Sequence, residues 1–325
     1  MSNRFIVAAA FALVASTLTS AQTFRVPRTP WGDPDLSGVY SNDDETGTPL
    51  ERPAEFDGRR MEDITPAELT AINRQRTAQF NAGVAGTEFA GGLRPPTHLI
   101  FDSFERRNSR VWLVTDPPDG RVPAFTTEGL QRLRRPQRGV STNANPIGPF
   151  DSYEDMGLYD RCITRGIPSS MMPAGYGSNY EIEQGPGYAA IRYEMIHETR
   201  VVPLDGRPHV GRNIRLDLGD PRGHFEGDTL VVETTNFTMR STYRGASENL
   251  KLTERFKPLS ATAVDWSVTF EDAHTWVRPW TFTMKLTKKD RSQQVYEYAC
   301  HEGNYAMPNI LSAQRTAEKA ASSIR

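Results

Sequence analysis

Residues 223–237 read GHFEGDTLVVETTNF, and this stretch decides the fold class. It is one strand, a tight turn at Gly227-Asp228, and a second, longer strand. Glycine at the first turn position suits a two-residue hairpin, because it accepts positive φ without a Cβ clash. Residues 229–235 are rich in β-branched side chains, whose stiff χ1 favours an extended backbone. Units of the same kind continue on both sides. The expected strands are 180–184, 188–195, 199–204, 223–226, 229–235, 250–256, 263–270, 280–286 and 295–300. Turn clusters such as Gly185-Pro186-Gly187, Asp205-Gly206 and Lys288-Lys289-Asp290 separate them. Nothing between these strands reads as the helical crossover that parallel pairing needs, so they are expected to run antiparallel.

The fold class is therefore mainly β: an antiparallel meander closed into a lipocalin-like β-barrel, with a two-sheet sandwich as the alternative. Several strands alternate. Val264, Trp266, Val268 and Phe270 share one face of 263–270, and Trp280, Phe282, Met284 and Leu286 share one face of 280–286. Such a face lines either ordinary core or an apolar pocket.

The rest of the chain divides around this region. Arg4, the apolar run 5–18 and the small residues Thr19-Ser20-Ala21 have the order of a signal peptide over 1–21, too short to span a bilayer comfortably. Residues 22–150 are expected as an irregular arm with short helices packed on the barrel, and 151–325 as the barrel domain. Within the arm, Thr65-Pro66-Ala67-Glu68 is a helix start, with Thr as N-cap, Pro at the first helical position and Glu completing a capping box. A second short helix is expected at 127–135, a strand at 110–115, and a last helix at 309–320.

Composition limits the partners. The formal net charge of the 325 residues is −2, which lacks the basic surplus a nucleic-acid binder needs to neutralise phosphates. No stretch of the mature chain is apolar enough to cross a membrane, so the protein is expected to be exported, periplasmic or secreted. The two cysteines, Cys162 and Cys300, are then expected to form a disulfide, the alternative being a thiol nucleophile.

Four blocks carry a resemblance: PDLSGVY at 34–40, CITRGIP at 162–168, GDTLVVETTNF at 227–237 and CHEGNYAMPNIL at 300–311. The chain resembles a large group of secreted bacterial proteins, mostly uncharacterised, in which these blocks recur. The resemblance implies export and a shared fold over nearly the whole mature chain. It brings no catalytic residues with it.

The densest polar cluster among the strands is IHETRVVPLDGRPH at 196–209. If the Asp205-Gly206 turn reverses the chain, His209 returns near the preceding strand. His197 and His209 with Asp205 or Glu198 then form the minimum set for acid–base work, the alternative being a hairpin with a polar rim. The expected catalytic residues are His197, Asp205 and His209. A Cys162–Cys300 bond would gather Arg161, Arg165, His301, Glu302 and Tyr305, with Tyr193 nearby, as a substrate-binding group at the barrel mouth or as a structural clasp. The six histidines are scattered without ligand spacing, so no metal is expected, and no glycine-rich segment has the strand-to-helix context of a nucleotide loop, so no cofactor is expected. The functional expectation is an exported enzyme acting on a small, largely apolar organic molecule by cofactor-free acid–base chemistry of lyase, isomerase or hydrolase type. The alternatives are a carrier of a hydrophobic ligand and a structural or interaction protein of the cell envelope. No feature of the sequence sets the oligomeric state.

Overall fold

The computed structural model describes residues 24–86, 105–134, 149–173, 177–241, 243–290 and 294–323. The signal-peptide residues 1–21 lie outside them. Ten strands occur in chain order: β1 (Gly38–Ser41), β2 (Val114–Asp116), β3 (Asn179–Gly185), β4 (Tyr188–Tyr193), β5 (Thr199–Pro203), β6 (Asp220–Glu226), β7 (Thr229–Thr235), β8 (Lys251–Ser260), β9 (Ala263–Glu271) and β10 (Trp280–Lys288). Three α-helices accompany them among the described residues: α1 (Pro66–Gly86), α2 (Thr127–Arg134) and α3 (Ala306–Ser323).

Nine strands follow the path β5-β4-β3-β1-β10-β9-β8-β7-β6, with the short β2 paired to β10. Every pair is antiparallel, and the path curls into a nearly closed barrel. The hairpin that opened the reading is present: Glu226 faces Thr229 across the turn, and Gly227 has φ +60°. Asp228 does not share the positive φ, which is the pattern of a turn led by glycine.

The inward faces are those that alternation marks. Across β10 and β9, Phe282 faces Val268 and Met284 faces Trp266, and all four are fully buried. Aromatic rings fill one end of the lumen. Phe270 stacks on Trp280 at 4.1 Å between centroids, and Trp276 meets both edge-on at 5.8 and 5.6 Å. These offset and edge-to-face contacts suit the ring quadrupoles. The protein's own side chains therefore occupy that end of the interior.

The barrel does not close by a backbone ladder. β5 and β6 end the hydrogen-bonded path, and side chains bridge them. Gly223 on β6 makes room for this: a Cβ there would lie 2.5 Å from Leu204 Cδ2 and 2.9 Å from Val202 Cγ1. Beside it, Arg222 Nε donates to the Arg207 and Pro208 carbonyls.

Three expectations differ from what is found. The arm supplies β1, a strand threaded between β3 and β10, at 38–41 where no strand is expected. A four-residue strand ordered by two neighbours gives no long alternating run to read. Residues 295–300 form no strand; the Val295 and Tyr298 carbonyls are taken by the Arg192 and His197 side chains. Finally, β4 stops at Tyr193, because Ile196 and His197 have φ of +63° and +46° and cannot continue an extended chain.

Candidate functional site

The segment between β4 and β5 is the most unusual backbone of the chain. Left-handed conformations are costly for residues other than glycine, most of all β-branched ones, and two follow one another at Ile196 and His197. The break turns the His197 ring outward, where its Nδ1 lies 2.9 Å from the Tyr298 carbonyl oxygen. A carbonyl can only accept, so Nδ1 carries the proton and Nε2 of the neutral ring keeps its lone pair.

Residues 294–304 are pinned opposite. Cys162 and Cys300 are joined, with Cα atoms 5.7 Å apart and a sequence separation of 138. Asn304 Nδ2 donates to the Asp160 carbonyl at 3.0 Å, and an Arg192 guanidinium nitrogen to the Val295 carbonyl at 3.3 Å. Between this return segment and β4 lies a cleft of about 300 Å³ lined by Arg192, Tyr193, His197, Val295, Tyr296 and Glu297. Arg192 is also paired with Glu181 at 2.6 Å, so its charge is held at the wall.

Glu198 sits next to His197 on the other side of the chain. Its carboxylate accepts from the Thr164 hydroxyl at 2.7 Å, which ties the CITRGIP block to β5. Burial pushes the Glu198 carboxyl above its ordinary range, the Thr164 bond and the Arg200 charge pull it partly back, and Asp217 adds to the rise. Deeper in the barrel, Arg200 on β5 reaches across to Glu254 on β8, with nitrogen–oxygen distances of 2.5 and 3.1 Å. Both are almost completely buried, at 2% and 0% side-chain exposure. Trp266 Nε1 donates to the same carboxylate at 3.1 Å. Burial by itself would lower the Arg200 pKa, but the Glu254 charge more than offsets it and the net shift is upward. This ion pair is a strut across the lumen.

The other expected site residues are scattered. Asp205 does not orient His197; it forms an exposed ion pair with Arg207 that lowers its pKa to about 2. His209 does not return to β4 either. The chain runs on past the turn to β6, where His209 Nδ1 lies 2.9 Å from the buried Asp220 carboxylate, which also takes Arg222 at 2.6 Å and the Val210 N–H. Arg161 lies over the Tyr153 ring and Arg165 over the Tyr159 ring, at 5.2 and 5.4 Å. His301, Glu302 and Tyr305 are exposed beyond the disulfide, and Tyr193 points into the core. The disulfide thus brings 294–304 to His197 and does not assemble the arginine group around His301. Among the described residues, no group of three or more His, Cys, Asp or Glu side chains is placed to hold a metal ion.

Sequence reading missed the Arg200–Glu254 strut, although its signal is present: Glu254 falls between Leu252 and Phe256 on the inward period of β8. It also missed Tyr298, whose contribution is a backbone carbonyl.

No protein-family model matches the chain. No curated protein matches it either. Among solved structures it is similar to a heat-soluble SAHS protein of Ramazzottius varieornatus, at 11% identity and a TM-score of 0.26, over 41% of this chain and 86% of that one. A likeness of that size carries no argument about function. No described helix is long and apolar enough to cross a membrane.

Proposed function

We propose that the protein is an exported small-molecule enzyme in which His197 acts as general base, and in reverse as acid, on a largely apolar substrate held in the cleft against 295–297. The observation that carries this reading is the His197 Nδ1 bond to the Tyr298 carbonyl. It fixes one tautomer, orients the ring and leaves Nε2 to take a proton, as a general base requires. Tyr296 and Val295 offer apolar surface, and Arg192 offers a cation to a developing negative charge on a substrate oxygen. A cleft of this volume accepts a small ligand only. Export rests on the leader-like first residues and agrees with a disulfide that an oxidising compartment maintains.

The test is a thermal-shift screen of the mature protein against small apolar metabolites, followed by turnover assays on each compound that raises Tm. His197→Asn is the informative variant, since asparagine tolerates the left-handed backbone and can still donate to Tyr298. The expected result is unchanged folding, retained binding and turnover reduced by roughly 100-fold or more. Turnover equal to wild type would reject His197 as the base.

A further inference from the structure

The charges that line the cleft beside His197 do not cancel. Arg192 on its wall is balanced by Glu181 at 2.6 Å, and its guanidinium also donates to the Val295 carbonyl at 3.3 Å. The neutral His197 ring directs its Nδ1 hydrogen at the Tyr298 carbonyl. That leaves Glu297. It lines the cleft, is exposed, and has no ion pair or side-chain hydrogen bond among the described residues. Tyr296 lines the cleft beside it and is 77% exposed. Elsewhere near the disulfide, tyrosine rings carry cations of the chain itself: Arg161 lies over Tyr153 at 5.2 Å and Arg165 over Tyr159 at 5.4 Å. No described cation lies over Tyr296 in the same way. A carboxylate and the negative face of an aromatic ring therefore adjoin in one cleft, each lacking a cation among the described residues.

We propose that this cleft selects an organic monocation: a small amine whose apolar body lies against Val295 and Tyr296 and whose ammonium group meets the Glu297 carboxylate. The inference names the substrate class and rests on the reading of the cleft as the substrate site. Charge separates three classes of ligand. An anion finds Arg192 already balanced and Glu297 opposed to it. A neutral molecule gains the apolar contact alone. A cation adds an exposed ion pair and a cation–π contact, which together favour it over a neutral molecule of the same shape by roughly 3–30-fold at low salt.

NMR titration of the full, oxidised, ¹⁵N-labelled protein tests this, because it reads Kd and location together. The probes are benzylamine, benzyl alcohol and benzoate, which share a ring and differ in charge, at about pH 7.5 and low ionic strength. Benzylamine is expected to shift the amide signals of Val295, Tyr296 and Glu297. It should bind roughly 3–30-fold more tightly than benzyl alcohol, with benzoate weakest. Glu297→Gln, a change at an exposed side chain, should lose part of that preference, and Glu297→Gln with Tyr296→Leu should lose all of it. Absence of benzylamine binding, equal Kd for benzylamine and benzyl alcohol, shifts confined to residues outside the cleft, or a preference that survives the double variant overturns the substrate class. The base assignment is read separately, because His197→Asn keeps both Glu297 and Tyr296. A preference retained while the turnover of His197→Asn equals wild type overturns the base alone. A preference absent while that turnover falls overturns the substrate class alone.

Discussion

Replacing Glu254 by glutamine tests the strut at the centre of the barrel. The substitution keeps the volume and one acceptor but leaves the Arg200 charge, at 2% exposure, without its counter-ion. It also sets an amide donor against a guanidinium donor, because both Arg200 terminal nitrogens now point at Glu254 oxygens. Removing one member of a buried pair costs about 3–5 kcal/mol, and loss of the Trp266 bond would add about 1 kcal/mol. Set against a total stability of about 5–15 kcal/mol, that is a large fraction. Replacing both members, Glu254→Leu with Arg200→Met, removes the charges together and is expected to recover most of the loss, since a well-fitted apolar pair of similar volume is often neutral. The assay is equilibrium urea unfolding of the oxidised protein for wild type, Glu254→Gln, the singles Glu254→Leu and Arg200→Met, and the double. A double variant more stable than either single by about 2 kcal/mol or more is the predicted outcome. A Glu254→Gln variant within about 1 kcal/mol of wild type would refute the claim that this pair is dry and mutually dependent.

Three further outcomes follow from the same structure. Cys162→Ser with Cys300→Ser opens a loop of 138 residues and should cost about 2–5 kcal/mol in urea unfolding; a loss under about 1 kcal/mol would mean the other bonds of residues 294–304 suffice to hold it. Gly223→Val places atoms where Leu204 and Val202 close the seam, so it should lower stability by about 1–3 kcal/mol, with Leu204→Ala relieving part of the loss; additive costs would show that the seam is not tightly filled. Glu198 has a raised folded-state pKa, so the folded chain holds its proton more tightly than the unfolded chain. The stability this provides is complete below the unfolded value and lost as pH rises through the folded one. Glu198→Gln should therefore gain on wild type between pH 4 and pH 8 in paired unfolding curves; a pH-independent difference would contradict the buried placement.

Much of the barrel is legible in residue chemistry. β7 occupies Thr229–Thr235, the run rich in β-branched residues, and the turn before it has glycine where positive φ is required. The alternation of β9 and β10 gives their buried faces correctly. What escapes is whatever depends on neighbours. β1 is a strand because β3 and β10 flank it, and its four residues carry no periodic signal. The left-handed break at Ile196 contradicts the β propensity of isoleucine and is imposed by its surroundings. At the site, His197 stands out as a histidine in a polar cluster, but its partner lies 101 residues away and is a main-chain carbonyl, which any residue type would supply. Asp205 looks like the natural orienter from proximity in sequence, and its neighbour Arg207 takes it instead.

The tautomer of His197 is the most direct test, because the acid–base account depends on which ring nitrogen is free. Long-range proton–nitrogen correlation spectra of the ¹⁵N-labelled protein, recorded where the ring is neutral, distinguish the two nitrogens. The account predicts a protonated Nδ1 and an unprotonated Nε2, with loss of that pattern when the Cys162–Cys300 bond is reduced. A ring protonated at Nε2 in the oxidised protein would contradict it.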